Sequence, residues 1–161
     1  MKPAKWIVLG FGLGLATLIA GCGKVDSTGK PPEKVGPKEP EHVHGKGPNG
    51  GVVLDLGKYH AEFTVNHDKK ECLLLVIDAE NEKAKPLAVK AEEFTLTTKP
   101  TKTKEGKEVP AMTIQLTARD AKDGKASAFV GTNPGLGNVA EFEGSVVGAI
   151  DGKPSTGEFK K

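Results

Sequence analysis

The chain has 161 residues, of which 37% are hydrophobic and 27% are charged, and its formal net charge is +2 at pH 7. Basic and acidic residues nearly balance (23 against 21). We therefore expect no nucleic-acid partner, because such binding needs a basic stripe. Two cysteines are too few for a disulfide framework.

The first 21 residues have the layout of an export signal. Lys2 and Lys5 precede an uncharged apolar run that extends from Trp6 to Ala20. A membrane-spanning helix needs about 20 apolar residues, and this run is shorter and rich in glycine. The pattern predicts a secretory signal peptide at residues 1–21 that is absent from the mature protein.

The end of this segment, "LIAGC", resembles the bacterial lipobox. Ile19, Ala20 and Gly21 fill the three positions before Cys22. The resemblance implies cleavage before Cys22 and acylation, for example by palmitate, of its thiol and new amino terminus. Several acyl chains would hold the protein stably on a lipid bilayer. The alternative is an ordinary signal peptide followed by a chance cysteine. Gly23 is not the aspartate associated with inner-membrane retention, so we expect the outer membrane if the cell is diderm.

Residues 22–48 predict a tether. Proline, glycine, lysine and glutamate dominate this stretch, and valines are its only large apolar residues. Such a composition buries too little apolar surface to offset the entropy of ordering, so we expect a disordered, semi-rigid spacer. Loss of residues 1–21 removes two lysines and no acid, which leaves the mature chain with equal numbers of basic and acidic residues.

Residues 49–161 predict one folded domain, which begins with three strands. Residues 51–57 form a short apolar run, and residues 58–66 alternate between apolar and polar side chains. The apolar face of the second run is made by Tyr59, Ala61, Phe63 and Val65. Residues 71–78 are apolar on both faces, which is typical of a central strand, and "HDKK" between these runs predicts a hairpin turn.

The rest of the domain repeats this texture. The strand candidates are residues 86–91, 92–98, 111–118, 126–131, 139–144, 145–151 and 157–160, with polar loops at 100–110 and 132–138. Strands at intervals of about ten residues, separated by glycine, proline, asparagine and aspartate, are typical of a sandwich. The fold class is all-β: a single antiparallel β-sandwich, immunoglobulin-like. Cys72 lies inside an apolar run and is expected to be a buried small hydrophobe.

Histidines supply the only candidate chemistry. His42 and His44 lie in "EHVHGKGPNGG", and His60 and Glu62 share one face of the second strand. If the first two strands pair, these four residues can converge into a site for Zn²⁺ or Cu²⁺. The alternative is that the tether histidines are solvated and that His60 and Glu62 are a surface pair. Residues 47–51 also read as a turn with positive φ at its glycines.

Two stretches carry a resemblance to a known family. The runs "HGKGPNGGVVLDLGKYHAEFTV" and "LLLVIDAENEKAKPL" resemble small exported bacterial lipoproteins, common in planctomycete-type bacteria, with the pattern His-Gly-x-Gly-Pro-His-Gly-Gly and then Tyr-His-Ala-Glu. The ending "FVGTNPGLGNVAEFEGSVVGAIDGKPSTGEF" also resembles theirs. The same segment is similar to amino-terminal parts of periplasmic adaptor subunits of heavy-metal efflux pumps. Asn49 stands where the lipoprotein pattern has histidine, so one potential ligand is missing.

Two functions remain open, and neither is catalytic. No Gly-x-Ser-x-Gly or phosphate-binding loop is present, so we expect no enzyme activity and no required cofactor. The first function is a membrane-anchored module that presents a sandwich to a protein or polymer of the cell envelope. The second is a periplasmic Zn²⁺- or Cu²⁺-binding accessory protein, for which the resemblance to efflux adaptors is the additional argument.

Overall fold

The computed structural model describes residues 44–160, and their regular structure is almost entirely antiparallel strand. A short 3₁₀ helix at Pro134–Gly137 is the one helical element in that range. The strands are β1 Val52–Leu56, β2 Tyr59–Asn66, β3 Glu71–Ile77, β4 Glu93–Thr98, β5 Thr101–Lys102, β6 Glu108–Val109, β7 Thr113–Arg119, β8 Ala128–Thr132, β9 Gly144–Ile150 and β10 Lys153–Phe159.

Eight of these strands form one sheet in the order β1-β2-β3-β8-β7-β4-β9-β10, and β5 and β6 form a separate small hairpin. The two ends of the large sheet meet. At Gly157 on β10, an added Cβ would overlap the carbonyl oxygen of Asp55 on β1. The sheet is thus folded over a shared interior, and the prediction of an all-β antiparallel sandwich is confirmed.

The interior is filled by alternate residues of the strands, as the sequence pattern predicts. On β2 the apolar face packs inward. Ile114 and Leu116 on β7 are buried, as is Met112 just before that strand. Two aromatic pairs lie in this core: Phe94 meets Phe129 edge to face, with ring centroids 4.7 Å apart, and Phe63 packs against Phe159 at 4.4 Å. Such pairs add about 0.5–1.5 kcal/mol each beyond their burial.

β3 is a central strand that contributes to two apolar clusters, which confirms its predicted character. Its neighbours are β2 and β8. Side chains on one side of β3 pack into the main core. Those on the other side belong to a smaller cluster on the outer face of the sheet. We call it the outer apolar cluster, and its buried members are Val53, Leu75, Ile77 and Ala84. Ala84 comes from the loop between β3 and β4, which therefore covers this face.

Cys72 is fully buried in the main core, as predicted, and is a free thiol. Burial raises its pKa from 9.0 to about 11. A thiol that stays protonated is a poor nucleophile and a poor metal ligand. The sulfur therefore serves packing rather than chemistry.

Some of the predicted strands are wrong in position. Residues 86–91 make only isolated bridges, at Pro86 and Val89, since proline has no N–H for a ladder. Residues 139–143 are irregular apart from one bridge at Ala140, and the predicted loop at 100–110 contains β5 and β6. The last strand starts at Lys153 rather than residue 157.

The folded domain also begins earlier than residue 49. Lys46 bridges to Val52, Gly47 is buried, and the backbone N–H of Gly47 donates to the carbonyl of Gly51 over 3.2 Å. Residues 44–48, assigned to the tether from their composition, therefore lie on the domain. Composition did not indicate this because the contacts are made by backbone and glycine.

Candidate metal centre

Four side chains from separate parts of the chain meet on the outer face of the sheet. Asp55 on β1 is directly opposite His60 on β2 in the antiparallel register. His44 comes from the segment that precedes β1, and Glu80 from the loop that follows β3. We call these four residues, His44, Asp55, His60 and Glu80, the outer cluster. It lies beside the apolar residues that the same loop covers.

The hairpin between β1 and β2 determines how this pair is placed. The strands are joined by only two residues, and Gly57 in the turn has φ +66°, a conformation that glycine adopts without steric cost. Alternation along β1 turns Leu54 and Leu56 into the core and leaves Asp55 on the outer face. His60 is outward for the same reason on β2. A tight turn therefore fixes the carboxylate and the imidazole side by side.

Each histidine of the outer cluster touches both carboxylates. His44 lies 3.3 Å from Asp55 through Nε2 and 2.9 Å from Glu80 through Nδ1. His60 lies 3.1 Å from Asp55 through Nδ1 and 3.1 Å from Glu80 through Nε2. The two rings are 6.3 Å apart between centroids. The histidine side chains are 13% and 28% exposed and the carboxylates 47% and 44%, so the cluster opens to solvent on its acidic side.

The hydrogen-bonding capacity of the rings makes this arrangement unusual. All four ring nitrogens face carboxylate oxygens, yet a neutral imidazole has one N–H donor and one lone pair. With both rings neutral, only two of the four contacts can be hydrogen bonds. The other two place a lone pair against an anionic oxygen, which is unfavourable unless a second proton on the ring or a bound cation lies between them. Two carboxylates together match the charge of one divalent cation.

The distances fit a small divalent ion. Ligand atoms of His44, Asp55 and Glu80 all lie within 4.8 Å of one another. Tetrahedral ligands bound to Zn²⁺ at about 2.0–2.1 Å are about 3.3 Å apart, so small side-chain rotations bring three ligands together. His60 contacts both carboxylates but lies outside this group of three, so a set of two nitrogens and two oxygens requires its ring to move toward His44.

The structure brings together only some of the four metal ligands expected from the sequence. His44 and His60 come together, as that expectation required. His42 lies outside the described residues, as do Cys22 and most of the tether. Glu62 is not part of the outer cluster: it is fully buried under the turn at residues 47–51. Its interpretation as a surface partner of His60 was also wrong, because the segment before β1 covers this part of β2.

Glu62 instead binds that turn. Its Oε1 accepts hydrogen bonds from the backbone N–H groups of Asn49 and Gly51, both over 2.8 Å, and its Oε2 accepts one from the side-chain amide of Asn49 over 2.7 Å. Gly47 has no room for a side chain, since an added Cβ would lie 2.6 Å from Cδ of Glu62. The φ of Gly50 is +75°, so the predicted positive φ is confirmed at this glycine, whereas Gly47 and Gly51 do not have it.

Asn49 has a structural role in these contacts. This position donates two hydrogen bonds to Glu62, so it holds the turn in place. Asn49 is therefore a residue of the turn rather than a member of the outer cluster.

Asp55 and Glu80 are the two site residues that sequence reasoning missed. A signal existed for Asp55, because it is the one charged residue in an apolar strand and the two-residue turn puts it opposite His60. Glu80 has no comparable signal. It is one of several acidic residues in a polar loop, and only the path of that loop brings it to the histidines.

No protein-family model, curated protein or solved structure matches this chain. Between residues 44 and 160, the structure has no helix long and apolar enough to cross a bilayer.

Proposed function

We propose that this protein is a non-catalytic lipoprotein of the cell envelope whose β-sandwich binds one divalent transition-metal ion, with Zn²⁺ preferred and Cu²⁺ as the alternative. The observation that supports it is the outer cluster, in which four ring nitrogens face the oxygens of two carboxylates. Residues 1–22 support the export and anchoring part of the proposal through the signal pattern and Cys22.

The donor set favours this class of ion. Imidazole nitrogen suits Zn²⁺ and Cu²⁺, whereas Mg²⁺ and Ca²⁺ prefer oxygen alone. Cu⁺ prefers sulfur, and Cys72, the cysteine within the described residues, is buried in the core with its pKa raised to about 11. Two half-buried histidines and two more exposed carboxylates therefore support a neutral N₂O₂ site for a 2+ ion.

The broader expectation of a protein or polymer partner in the envelope stays a prediction. Among residues 44–160 the exposed large apolar side chains are Val139 and Val147, which lie on different segments. Isolated exposed valines are ordinary on protein surfaces. The outer cluster thus supports metal binding more specifically than any feature supports a macromolecular partner.

Calorimetric titration of the full chain, chelator-treated and kept in a mild detergent, tests the proposal. We expect one Zn²⁺ per chain. We expect His44→Ala, His60→Ala, Asp55→Asn and Glu80→Gln each to weaken binding, by about 100-fold or more for a direct ligand, because loss of even an outer-shell partner costs about 10–100-fold.

Two matched variants act as controls. His67→Ala removes a histidine whose Nδ1 lies 2.8 Å from the carbonyl of Leu136, outside the cluster. Glu82→Gln removes an exposed carboxylate two residues from Glu80. Both should bind Zn²⁺ like the natural chain. Binding that is absent, or equally strong in the four cluster variants, would refute the metal function.

A further inference from the structure

The outer cluster joins parts of the chain that make few other contacts with one another. Residues 44–47, which we call the junction, connect the tether to β1 and contribute His44. Residues 78–92, the β3–β4 loop, contribute Glu80. The rigid β1–β2 hairpin supplies the other two side chains. An ion bound by all four residues would therefore connect the junction to the loop across the hairpin.

The turn that follows the junction, at residues 47–51, is firmly attached to β2 without any metal ion. Glu62 holds Asn49 and Gly51 by three hydrogen bonds, and the turn is closed by the backbone bond from the N–H of Gly50 to the carbonyl of Gly47. Gly47 is the first residue of this turn. A metal ion bound elsewhere, at the outer cluster, would leave the hydrogen bonds of the turn unchanged.

Upstream of Gly47 the described contacts are sparse. Lys46 is exposed and makes an isolated bridge to Val52, and Gly45 is exposed. An added Cβ at Gly45 would meet the backbone oxygen of Glu80 at 3.7 Å, so the junction runs alongside the loop. The ring of His44, with its contacts to Asp55 and Glu80, is the main hold on this end.

The loop has a corresponding arrangement. Its base is closed by hydrogen bonds between Asp78 and Lys85, one from the N–H of Asp78 to the Lys85 carbonyl and one from the N–H of Lys85 to the Asp78 side chain. Ala84 anchors it on the outer apolar cluster. Glu80 lies at the exposed end, and its side chain contacts the two histidines.

We propose that the bound ion is a reversible cross-link between the junction and the β3–β4 loop, and that its presence sets the point at which the tether leaves the domain. This inference rests on the proposed metal function. With the ion bound, the chain is fixed from His44. Without it, the last firm attachment is the turn held by Glu62. An ion that binds only the ordered arrangement stabilises it by mass action, which couples metal supply to the order of the junction.

Trypsin cleavage after Lys46 measures the state of the junction. The full chain in mild detergent, freed of metal by a chelator, is compared with the same protein in excess ZnCl₂, and the fragment that begins at Gly47 is quantified by mass spectrometry. We expect Zn²⁺ to slow this cleavage about tenfold or more, since an ion at 100 times its Kd suppresses opening by about 100-fold when opening releases it entirely.

Two further readouts locate the effect. Hydrogen exchange of peptides that cover residues 78–85 should also slow in Zn²⁺. Cleavage after Lys104, in the loop between β5 and β6, should not change, because no residue of that hairpin belongs to the cluster. A slowing at both lysines would indicate inhibited trypsin or general stabilisation and would overturn the cross-link.

The variant His44→Ala separates the cross-link from binding itself. It retains Asp55, His60 and Glu80 and should bind Zn²⁺ more weakly, but at Zn²⁺ levels that saturate it the protection of Lys46 should be lost. His67→Ala should keep both properties. Zn²⁺ binding with unit stoichiometry but no protection of Lys46 in the natural chain overturns the cross-link alone. Absence of Zn²⁺ binding overturns the proposed function as well.

Discussion

Glu62 is the one charged side chain that is fully buried within residues 44–160. A carboxylate removed from water costs several kcal/mol unless hydrogen bonds replace its solvation. Here three donors from Asn49 and Gly51 do so. The same alternation of β2 puts His60 and Glu62 on one face, yet the segment before β1 covers only the second. Neighbouring residues on one strand face therefore have different roles: one contributes to the outer cluster and one fixes the turn.

At this scale we predict that Glu62→Gln lowers the free energy of unfolding by about 1–3 kcal/mol, because the substituted amide presents an N–H group to donors that need an acceptor. Urea denaturation of the full chain measures it, with exposed Glu82→Gln as the control, for which a change within about 0.5 kcal/mol is expected. Zn²⁺ stoichiometry should stay unchanged in Glu62→Gln. Equal midpoints for the two variants would contradict the buried role.

Among the elements, β1 and β10 pack closely at Gly157, where an added Cβ would overlap the carbonyl oxygen of Asp55. Glycine is needed there because any Cβ would overlap the Asp55 carbonyl. The contact also places β1, and with it Asp55, against the opposite end of the sheet. The position of the candidate metal centre thus depends partly on a residue on β10 that contributes no ligand.

We predict that Gly157→Ala destabilises the domain by about 1–3 kcal/mol, the usual cost of overpacking, and weakens Zn²⁺ binding through displacement of β1. Glu158→Ala, at an exposed neighbouring position of β10, is the control and should change neither property. Thermal unfolding and calorimetry on the same samples measure the two effects. Unchanged stability in Gly157→Ala would show that β1 and β10 can separate without cost.

The elements that could be predicted from the sequence are those that alternate strictly or are apolar on both faces, such as β2 and β3. Their pattern alone determines which face is buried. Residues 86–91 were misassigned because their apolar content predicts burial, whereas their backbone makes isolated bridges rather than a continuous ladder. Within the candidate metal centre, the position of His60 beside Asp55 follows from the pairing of β1 with β2. Glu80 and the junction could not be predicted, since their positions depend on long-range contacts made by glycine backbone and an irregular loop.

At the scale of the whole molecule, the proposal combines a lipid anchor at Cys22, a tether and a metal-binding sandwich. The anchor and tether rest on sequence pattern, whereas the sandwich rests on the described structure. The equal numbers of acidic and basic residues after loss of residues 1–21 give no electrostatic attraction to anionic lipid. Membrane attachment would therefore depend on acylation.

We predict accordingly that Cys22→Ser moves the protein from the membrane fraction to the soluble fraction and removes the acyl mass from its amino terminus. Acyl chains contribute about 0.8 kcal/mol per buried methylene, so without them almost none of the protein should stay bound to the membrane. Fractionation and intact mass spectrometry measure both. Cys72→Ala is the matched control and should stay in the membrane fraction. Retention of Cys22→Ser on membranes would refute the lipid anchor.

The turn held by Glu62 has a mechanical consequence for a domain attached at its amino-terminal end. Force applied to the chain upstream of residue 44 passes first through the contacts of His44, next through the backbone bridge between Lys46 and Val52, and then through the three hydrogen bonds to Glu62. Only afterwards does it load the continuous ladder between β1 and β2. These contacts therefore bear the load before it can separate β1 from β2.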